Sequence, residues 1–402
     1  MTPTGTKKSR APFYILTALF WFSIYAYQSN FSPYLKFIGS SDFMAGLIIG
    51  SYGLVQFICR VPFGTLGQRH GVHKRFIIGG TLCLTASAVI FFTCSAPPLM
   101  LLARVLAGVA ASVWVNMTVL FASYHDAGEA VKSVGMLNLA NSAGQICAML
   151  SGAWLVGTVR EKSGEGAGYH SAFILSLAAA ALCFLLALTV KEKRSEPSPD
   201  APGGALRGVW ETFKDRRLLS VAFIAVAAQF LIFATVFGFL PQYATEKFST
   251  TAFQNGILTV IPSAVAAIGT LLLAQRLAGK ISGNILVFAG MAVMAAFNIV
   301  TPFVPAGALW ALIAVQALAG AGRGVAFPLL MGLAIAHVDG PRRGTAMGIF
   351  QSVYAIGIFA GPVFVGFMRD SLGLSFKEAF IACGALCLVS AVFGLFLLRE
   401  KK

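Results

Sequence analysis

Long apolar runs recur along the whole chain and are separated by short polar segments. Each run is close to 20 residues long, the length that crosses a bilayer as an α-helix. The runs are apolar on all sides, whereas strands of a membrane barrel alternate in polarity over about 10 residues. We therefore predict twelve spanning helices, called span 1 to span 12 in chain order, at residues 12–35, 43–64, 75–95, 98–122, 132–157, 169–190, 218–241, 252–276, 283–304, 306–333, 345–368 and 376–398.

The widest polar break lies at residues 191–217 and separates six spans from six. Its middle, residues 195–204, is rich in proline, glycine and serine, a composition typical of a flexible linker. The break therefore predicts an N-terminal six-helix bundle at 1–190, a cytoplasmic linker at 191–217 and a C-terminal six-helix bundle at 218–402.

The two halves carry a repeated sequence. Residues 103–108 read Ala-Arg-Val-Leu-Ala-Gly, and residues 315–320 read Val-Gln-Ala-Leu-Ala-Gly, 212 residues later. Close to this offset, Gly135 matches Gly348, Asn138 matches Gln351 and Gly144 matches Gly357. Parallel repeats of this kind place a binding site at their interface, near the middle of the membrane.

Composition and charge support a membrane protein. The chain is 57% hydrophobic and 11% charged, against about 25% charged residues in a soluble domain. The net charge of +15 could indicate a nucleic-acid partner, but the charge is sorted by side. With a cytoplasmic N-terminus, 21 of the 30 Lys and Arg residues fall on the cytoplasmic side and 6 on the other. This bias follows the positive-inside rule. It predicts a multi-pass protein of the plasma (inner) membrane with both termini cytoplasmic, a lipid bilayer as partner and no nucleic acid.

The segment after predicted span 2 reads Gly64-Thr65-Leu66-Gly67-Gln68-Arg69-His70-Gly71-Val72-His73-Lys74-Arg75. It resembles the signature loop of the major facilitator superfamily, with Gln68 in place of the usual acid. The resemblance implies an all-α fold of two pseudo-symmetric six-helix bundles around a central cavity, and a conformational gate at this loop. The residues expected at the gate are Gly64, Gln68, Arg69, Gly71 and Arg75, with Gln275 and Arg276 at the matching place in the second half. Simple anchoring of Arg69 and Arg75 at the membrane surface is the alternative.

Two further segments are similar to the same family. Arg104 to Gly108 in span 4 resembles its Arg-x-x-x-Gly pattern. The run from Gly357 to Gly366 in span 11 resembles a glycine-proline motif that exporters of the family carry in span 5. Because the motif is displaced and degraded here, it weakens the interpretation of the protein as an exporter. We expect helix packing or hinge roles for Gly108, Gly320, Gly357, Gly361 and Pro362.

Ionisable residues within the spans point to a positive site. None of the fifteen acids falls in the middle of a predicted span, whereas Arg104 lies within span 4 and Arg323 well inside span 10. A central arginine is costly in a bilayer, so it should face a cavity or a partner. Gln316 lies seven residues before Arg323, and thus on the same helix face. We predict that Arg323 and Arg104 bind an anionic group. For both, bonding to the protein's own backbone or a gate remains open.

Other polar residues within the spans are further candidates for the substrate site: Gln28, Tyr27, Asn116, Asn138, Gln316, Gln351 and Tyr354. Helix bridging is the alternative for each of them. Arg60, close to the expected end of span 2, is interpreted as reaching the membrane surface. The cysteines and histidines lack the spacing of a metal site.

Together these features predict secondary transport of a small organic solute, most simply an anion, by alternating access. Efflux of drug-like or lipid-like amphiphiles is the main alternative, and a membrane sensor that binds without transport is the remote one. We expect no enzyme activity, cofactor or metal. A proton or a counter-transported solute could couple the cycle, and the protein is expected to be a monomer.

Overall fold

The computed structural model describes residues 10–125, 130–192, 210–270, 280–338 and 342–398, and in these ranges the chain is almost wholly helical. The first six spans are span 1 (Arg10–Tyr25 and Phe31–Phe37), span 2 (Asp42–His70), span 3 (Lys74–Thr93), span 4 (Pro97–Ser112 and Trp114–Ser123), span 5 (Ala130–Ser163) and span 6 (Glu165–Thr189). The second six are span 7 (Arg216–Ala234 and Leu240–Phe248), span 8 (Ala252–Gly269), span 9 (Gly283–Val300), span 10 (Leu309–Ala336), span 11 (Arg343–Asp370) and span 12 (Phe376–Leu397).

The number of spans agrees with the sequence pattern. Within the described residues, eleven helices are long and apolar enough to cross a membrane. Span 1 completes the twelve, although a 3₁₀ turn at Gln28–Asn30 divides it into two shorter helices. The all-α prediction is confirmed. The domain boundaries stay predictions, since most of the linker lies outside the described residues.

One boundary differs from the prediction in a way that matters for function. Span 2 was expected to end at residue 64 but runs to His70, where Gly71 ends the helix with a left-handed φ of 61°. A glycine adopts this conformation without the strain that a Cβ would bring. The segment expected to be a signature loop is therefore mostly helix.

The spans end at two opposite faces of the bundle. We call the face with residues 70–74, 190–192, 210–216 and 337–343 the linker end, and the face with residues 37–42, 248–252 and 370–376 the far end. At the far end, Thr251 and Ser375 each form a capping box, with Gln254 and Glu378 respectively. Such caps satisfy N–H groups that the first helical turn leaves unpaired.

At the linker end, Asp215 caps span 7 by accepting from the N–H groups of Arg217 and Leu218. Its other oxygen lies 2.7 Å from a ring nitrogen of His337, at the end of span 10. Partial burial by itself raises the pKa of Asp215, but the hydrogen bonds from Leu218 and His337 outweigh it and hold that pKa below its usual value. Asp215 thus ties span 7 to span 10.

Spans 2 and 11 pack against each other through glycines. A Cβ added at Gly50 would lie 2.6 Å from the carbonyl oxygen of Phe359, and one added at Gly53 would lie 2.6 Å from a side-chain carbon of Ile358. Without hydrophobic driving force inside a bilayer, small residues let helices approach closely and gain dispersion contacts. The two halves therefore touch along this pair of helices.

The glycines predicted at helix contacts lie against neighbouring backbone. A Cβ at Gly108 would come within 2.8 Å of the Tyr52 oxygen, and one at Gly320 within 2.5 Å of the Pro262 oxygen. Gly357 and Gly361 leave no room for a side chain next to the carbonyls of Val226 and Phe230 in span 7. A Cβ at Gly46 in span 2 would clash with the carbonyl of Pro362.

Three spans lose regular α-geometry near mid-length. Span 1 has the 3₁₀ turn Gln28–Asn30, span 4 breaks at Val113, and span 7 contains a π-helical turn at Thr235–Phe239. Such irregular turns release backbone groups from the helix ladder and are frequent at functional sites. All three contribute to the region described next.

Candidate functional site

Arg323 lies in span 10 and is half-buried as a residue. Its carbon Cζ sits 5.8 Å from the ring centre of Phe237, in the π-helical turn of span 7. Among the described residues Arg323 has no hydrogen-bond or ion-pair partner, and its guanidinium meets only the aromatic face of Phe237. An arginine held deep in a membrane protein without an acid is costly, and a partner is expected for it.

A series of aromatic side chains from both halves begins at the ring that contacts this arginine. The ring of Phe237 meets the ring of Tyr25 edge-on at 5.7 Å, and Tyr25 neighbours Trp21 at 6.2 Å. Tyr25 and Tyr354 both lie within electrostatic range of Arg323. On the first-half side the series continues from Trp21 to Trp114, whose ring centre is 5.5 Å away.

These side chains define what we call the Arg323 site, namely Arg323 with Tyr25, Trp21, Phe237 and Tyr354. It combines one unpaired positive charge with flat apolar faces. A guanidinium can hold a carboxylate or phosphate through two parallel hydrogen bonds. The rings offer stacking to the apolar part of a ligand. The described residues contain no group of three or more His, Cys, Asp or Glu that could hold a metal ion.

Arg104, the other predicted anion ligand, occupies a different environment. Its side chain is 1% exposed. Its Nη1 donates to the Tyr27 hydroxyl at 3.1 Å, and its guanidinium lies 4.7 Å from the ring centre of Tyr52 and 5.4 Å from that of Phe31. We call this enclosure the Arg104 cage. It engages Tyr27 as well, so these two predicted site residues contact each other. Tyr25 lies within electrostatic range of both Arg104 and Arg323.

Gln316, at the position that the repeat matches to Arg104, is fully buried. Neither its amide nitrogen nor its amide oxygen has a hydrogen-bond partner in the described part of the chain. It thus lies on the same helix as Arg323, two turns away, as a buried amide within the helix packing.

Gln28 lies on the boundary between the halves. Its Nε2 donates to the Phe237 carbonyl oxygen at 2.6 Å, next to the π-helical turn. Ser29 and Asn30 continue this seam, with Ser29 bonding Thr259 at 2.7 Å and Asn30 donating to the Ala252 carbonyl at 3.2 Å. The 3₁₀ turn of span 1 therefore joins the first half to spans 7 and 8.

Arg60 was interpreted as reaching the membrane surface, and this was wrong. It is 4% exposed, and its Nη1 donates to both the carbonyl oxygen of Gln351 and the hydroxyl of Tyr354 at 3.1 Å. Its Nη2 also bonds Gln56. Because span 2 continues six residues past residue 64, Arg60 lies about 15 Å inside the helix end. It bridges span 2 to span 11.

Gln351 and Tyr354 are thus brought together by Arg60. The side-chain oxygen of Gln351 is buried and unpartnered within the described residues. Tyr354 also packs edge-on against Phe327 of span 10, at 5.6 Å. Of these two predicted site residues, Tyr354 belongs to the Arg323 site and connects it to Arg60.

Asn116 and Asn138 lie elsewhere. Asn116 is fully buried and donates to the Phe63 carbonyl, while its oxygen lies 2.9 Å from a ring nitrogen of His73. It fastens span 4 to the linker end of span 2, away from the Arg323 site. Asn138 is exposed on span 5 and has no hydrogen-bond partner in the ranges that the structure covers.

The predicted gate residues surround the linker end of span 2. Gln68, Arg69 and Arg75 are exposed, and none of their side chains has a hydrogen-bond partner within the described ranges. The Gln68 amide nitrogen lies 3.7 Å from the point where a Cβ of Gly344 would stand, at the start of span 11. Gly64 lies near that region as well, beside Val115. Gln275 and Arg276 lie outside the described residues.

A carboxylate does serve this region, but from another place in the sequence. Glu192 accepts from the backbone N–H groups of His73 and Lys74 at 3.0 and 2.8 Å. It therefore caps span 3, where the helix dipole favours a negative charge. Nothing in the sequence around residue 68 indicated this partner.

An ion pair between the halves at the far end was also missed. Asp42, at the start of span 2, accepts from Arg369 Nε and from Gln242 Nε2, both at 2.9 Å. The Asp42 side chain is 5% exposed and that of Arg369 is 22% exposed. Nearby, Asp370 accepts from the Phe43 N–H at 2.6 Å. We call this group the far-end latch. In the sequence its acidic and basic residues are distinguished from other charges near span ends by no motif or spacing.

The sequence matches known transporters along its length. The profile of the Major Facilitator Superfamily matches residues 13–284 and again residues 222–402. An uncharacterized MFS-type transporter of Methanocaldococcus jannaschii is 25% identical over 87% of this chain and 88% of its own length. The inner membrane transport protein YajR of Escherichia coli is 22% identical over 88% of this chain and 76% of its own.

Solved structures share the fold. A bacterial homologue of the human lysosomal transporter Spinster, in an inward-facing and unoccupied conformation, aligns with a TM-score of 0.79 at 16% identity, covering 98% of this chain and 96% of its own. The human organic anion transporter MFSD10 aligns with a TM-score of 0.68 at 16% identity, covering 98% and 99%. At these identities the likeness concerns the fold alone.

Proposed function

Since the chain belongs to the major facilitator superfamily and is a multi-pass membrane transporter, we propose that its cargo is a small organic anion with an apolar or aromatic part. The observation that carries this proposal is the environment of Arg323. This arginine is partly exposed, lies over Phe237 and has no acid partner in the described part of the chain. A bound carboxylate or phosphate supplies the missing partner.

Charge balance favours an anion over a cation. The described acids lie at the ends of spans or beyond them, as Asp42 and Glu192 do. A cationic cargo would face Arg323 in a site of low dielectric, where repulsion between like charges is strong. An anionic cargo instead offsets the desolvation cost of the Arg323 guanidinium.

The far-end latch supports alternating access as the transport cycle. Asp42 with Arg369 and the seam from Gln28 to Asn30 close the halves together at the far end. We propose that this conformation admits cargo from the linker end, and that the halves then rock so that the latch breaks and the linker end closes. By the positive-inside rule the linker end is cytoplasmic.

The positions of the charged residues also bear on what drives transport. Many carriers use a carboxylate within the membrane as the titrating group, and the described spans hold none at the Arg323 site. We propose exchange of one anion for another, or movement of a proton on the cargo itself. The neutralised arginine then favours the rocking step, since an empty positive site is costly to carry through the closed state.

Purified protein in liposomes tests the proposal by counterflow. Vesicles preloaded with an aromatic monocarboxylate should take up the labelled compound, and an amine of the same ring should not be taken up. Arg323→Gln should reduce uptake at least about 100-fold, as expected for losing two charge-assisted hydrogen bonds. Arg160→Gln is the matched control, since Arg160 pairs with Glu165 on the far-end surface. Uptake of the amine, or equal uptake by both variants, would refute an anionic cargo.

Export of amphiphilic drugs is the second candidate. The rings at the Arg323 site favour it, and the class C tetracycline resistance protein of Escherichia coli is 21% identical over 82% of both chains. It predicts uptake of neutral or cationic amphiphiles into inverted vesicles that does not depend on Arg323.

A further inference from the structure

A long groove runs along the side of the first half, away from the Arg323 site. Its walls come from Phe63 on span 2, Phe76 on span 3 and Val109 on span 4, and its volume is about 690 Å³. The lining is mostly apolar, with His70 and Arg75 at its linker end. The transport proposal does not use this groove, although His70 and Arg75 at its linker end belong to the segment that resembles the family signature.

Local sequence explains why space is left there. Gly79 and Gly80 face the groove from span 3, and a Cβ at Gly79 would meet no atom within 4 Å. Across the groove, span 4 breaks at Val113, and Gly80 lets this valine approach closely. A larger residue at position 79 would therefore fill the groove without first displacing a neighbour.

The location of the groove limits what can occupy it. Phe63, Phe76 and Val109 belong to helices long and apolar enough to cross a membrane. Gly79 and the neighbouring Leu82 are exposed on span 3, where the surrounding medium is lipid. An apolar space at this depth is unfavourable for water and favourable for a hydrocarbon chain.

The basic residues at the linker end of the groove indicate which headgroup the bound lipid carries. Arg75 and His70 are exposed at the linker end of the groove, and neither takes part in an ion pair with another described residue. Basic residues at this level attract anionic lipid headgroups. Arginine in particular binds phosphate oxygens through paired N–H groups.

We propose that the groove binds one acyl chain of an anionic phospholipid from the leaflet at the linker end, with the lipid phosphate held by Arg75 and His70. The chain lies between spans 2, 3 and 4 along Phe63 and Gly79. An acyl chain in the groove packs against Val113 and so stabilises span 4 where its helix is interrupted.

Thermal unfolding of the purified full-length protein in a mild detergent tests this site. Phosphatidylglycerol should raise the midpoint by about 3–5 °C more than phosphatidylcholine with the same acyl chains, as expected for a ligand that binds only the folded state. Gly79→Leu should abolish most of that difference by filling the groove. Arg75→Gln should remove the preference for phosphatidylglycerol while the common response to both lipids remains.

The matched control is Gly332→Leu. Gly332 is exposed on span 10, and a Cβ there also meets nothing within 4 Å. This variant should keep the wild-type response to both lipids. An equal response of Gly79→Leu and wild type, or equal midpoints with the two lipids in wild type, would overturn the proposal. Glycerol phosphate without acyl chains should have no effect, and full stabilisation by it would assign the site to a free phosphate instead.

A labelling experiment on the wild type keeps the proposal testable if a variant fails to fold. Cys83 lines the groove, whereas Cys147 is exposed on span 5. Phosphatidylglycerol should slow modification of Cys83 by a membrane-permeant maleimide at least about threefold relative to phosphatidylcholine and leave Cys147 unchanged, as read by peptide mass spectrometry. Equal rates at Cys83 with the two lipids would contradict the site.

Discussion

Arg104 and Arg323 lie on spans that the repeat relates to each other, but their surroundings differ. Arg104 is enclosed by Tyr27, Phe31 and Tyr52 and donates to a tyrosine hydroxyl. Arg323 is half-buried, and the Phe237 ring face is its only such contact among the residues that the structure describes. A buried cation with partners holds helices together, whereas one without partners leaves its donors free for a ligand. The repeat thus supplies two similar halves, and the contrast between these arginines separates a structural role from a binding role.

The largest expected effect is a loss of stability when Arg104 is replaced, and it tests the structural role of this arginine. Arg104→Ala should lower the free energy of unfolding by about 3 kcal/mol, because it empties the cage and leaves the Tyr27 hydroxyl without a partner. Arg323→Ala should change it by less than about 0.5 kcal/mol, since among the described residues only the contact with the Phe237 ring is lost. Thermal unfolding of both variants without cargo checks this. Equal losses of unfolding free energy in the two variants would show that both arginines stabilise the fold to the same extent, and would contradict the contrast between them.

Arg369 sharpens the comparison because it is an arginine with an acid partner. Asp42→Asn removes the charge that holds Arg369 across the halves at the far end. Opening of that end should become easier by about 2 kcal/mol, roughly a 30-fold change in the ratio of open to closed protein. A cysteine placed at Ser29, which is buried in the far-end seam, should then react faster with a polar maleimide.

The control for this variant is Glu378→Gln. It removes the same charge from the same end of the protein, but Glu378 bonds only within the capping box of span 12. It should leave the labelling rate at residue 29 unchanged. A wild-type rate in Asp42→Asn would mean that the ion pair does not hold the far end closed.

Much of the fold could be predicted from the sequence, because hydrophobic length alone identifies a spanning helix. The twelve spans needed no tertiary information. The place of Arg60 could not be predicted, because it depended on whether span 2 stops near residue 64 or continues to His70. The hydrophobic periodicity does not mark the end of span 2, because Gly64 and Gly67 lie inside the helix and do not end it.

The candidate site, too, could be predicted from the sequence only in part. Arg323 could be identified because an arginine within an apolar run is rare. Phe237 could not be distinguished from the other 33 phenylalanines, since its role depends on a π-helical turn that only packing reveals. The ion pair of Asp42 with Arg369 joins residues 327 positions apart, and a single sequence holds no signal for such a contact.

Gln316 extends the comparison to the position that the repeat matches to Arg104. Its buried amide has no described partner. Gln316→Leu should therefore stabilise the protein by about 1 kcal/mol, since it removes an unsatisfied polar group at similar volume. Gln242→Leu is the contrasting control, because the Gln242 amide donates to Asp42 and Glu246, and should destabilise. A loss of stability in Gln316→Leu, measured by thermal unfolding, would show that this glutamine has a partner.

The smallest effect concerns Asp215, where a charge is partnered at the protein surface. Its pKa is held below the usual value, so its charge contributes stability above about pH 4 and loses that contribution as the pH falls further. Asp215→Asn keeps a cap for span 7 and should cost about 0.5 kcal/mol at pH 7, since the side chain is 29% exposed. The difference from wild type should shrink as Asp215 becomes protonated. A difference that grows on acidification contradicts this assignment.

The central claim, that Arg323 is left unpaired to bind an anion, is tested most directly by equilibrium binding to the purified protein. One aromatic ring should be offered as its carboxylate, its amide and its amine to wild type, Arg323→Gln and Arg104→Lys. We predict that only the carboxylate binds, that Arg323→Gln weakens its binding at least about 100-fold, and that folded Arg104→Lys changes its binding by less than about tenfold. Tight binding of the amide or amine to wild type and Arg323→Gln alike, with no binding of the carboxylate, would contradict it.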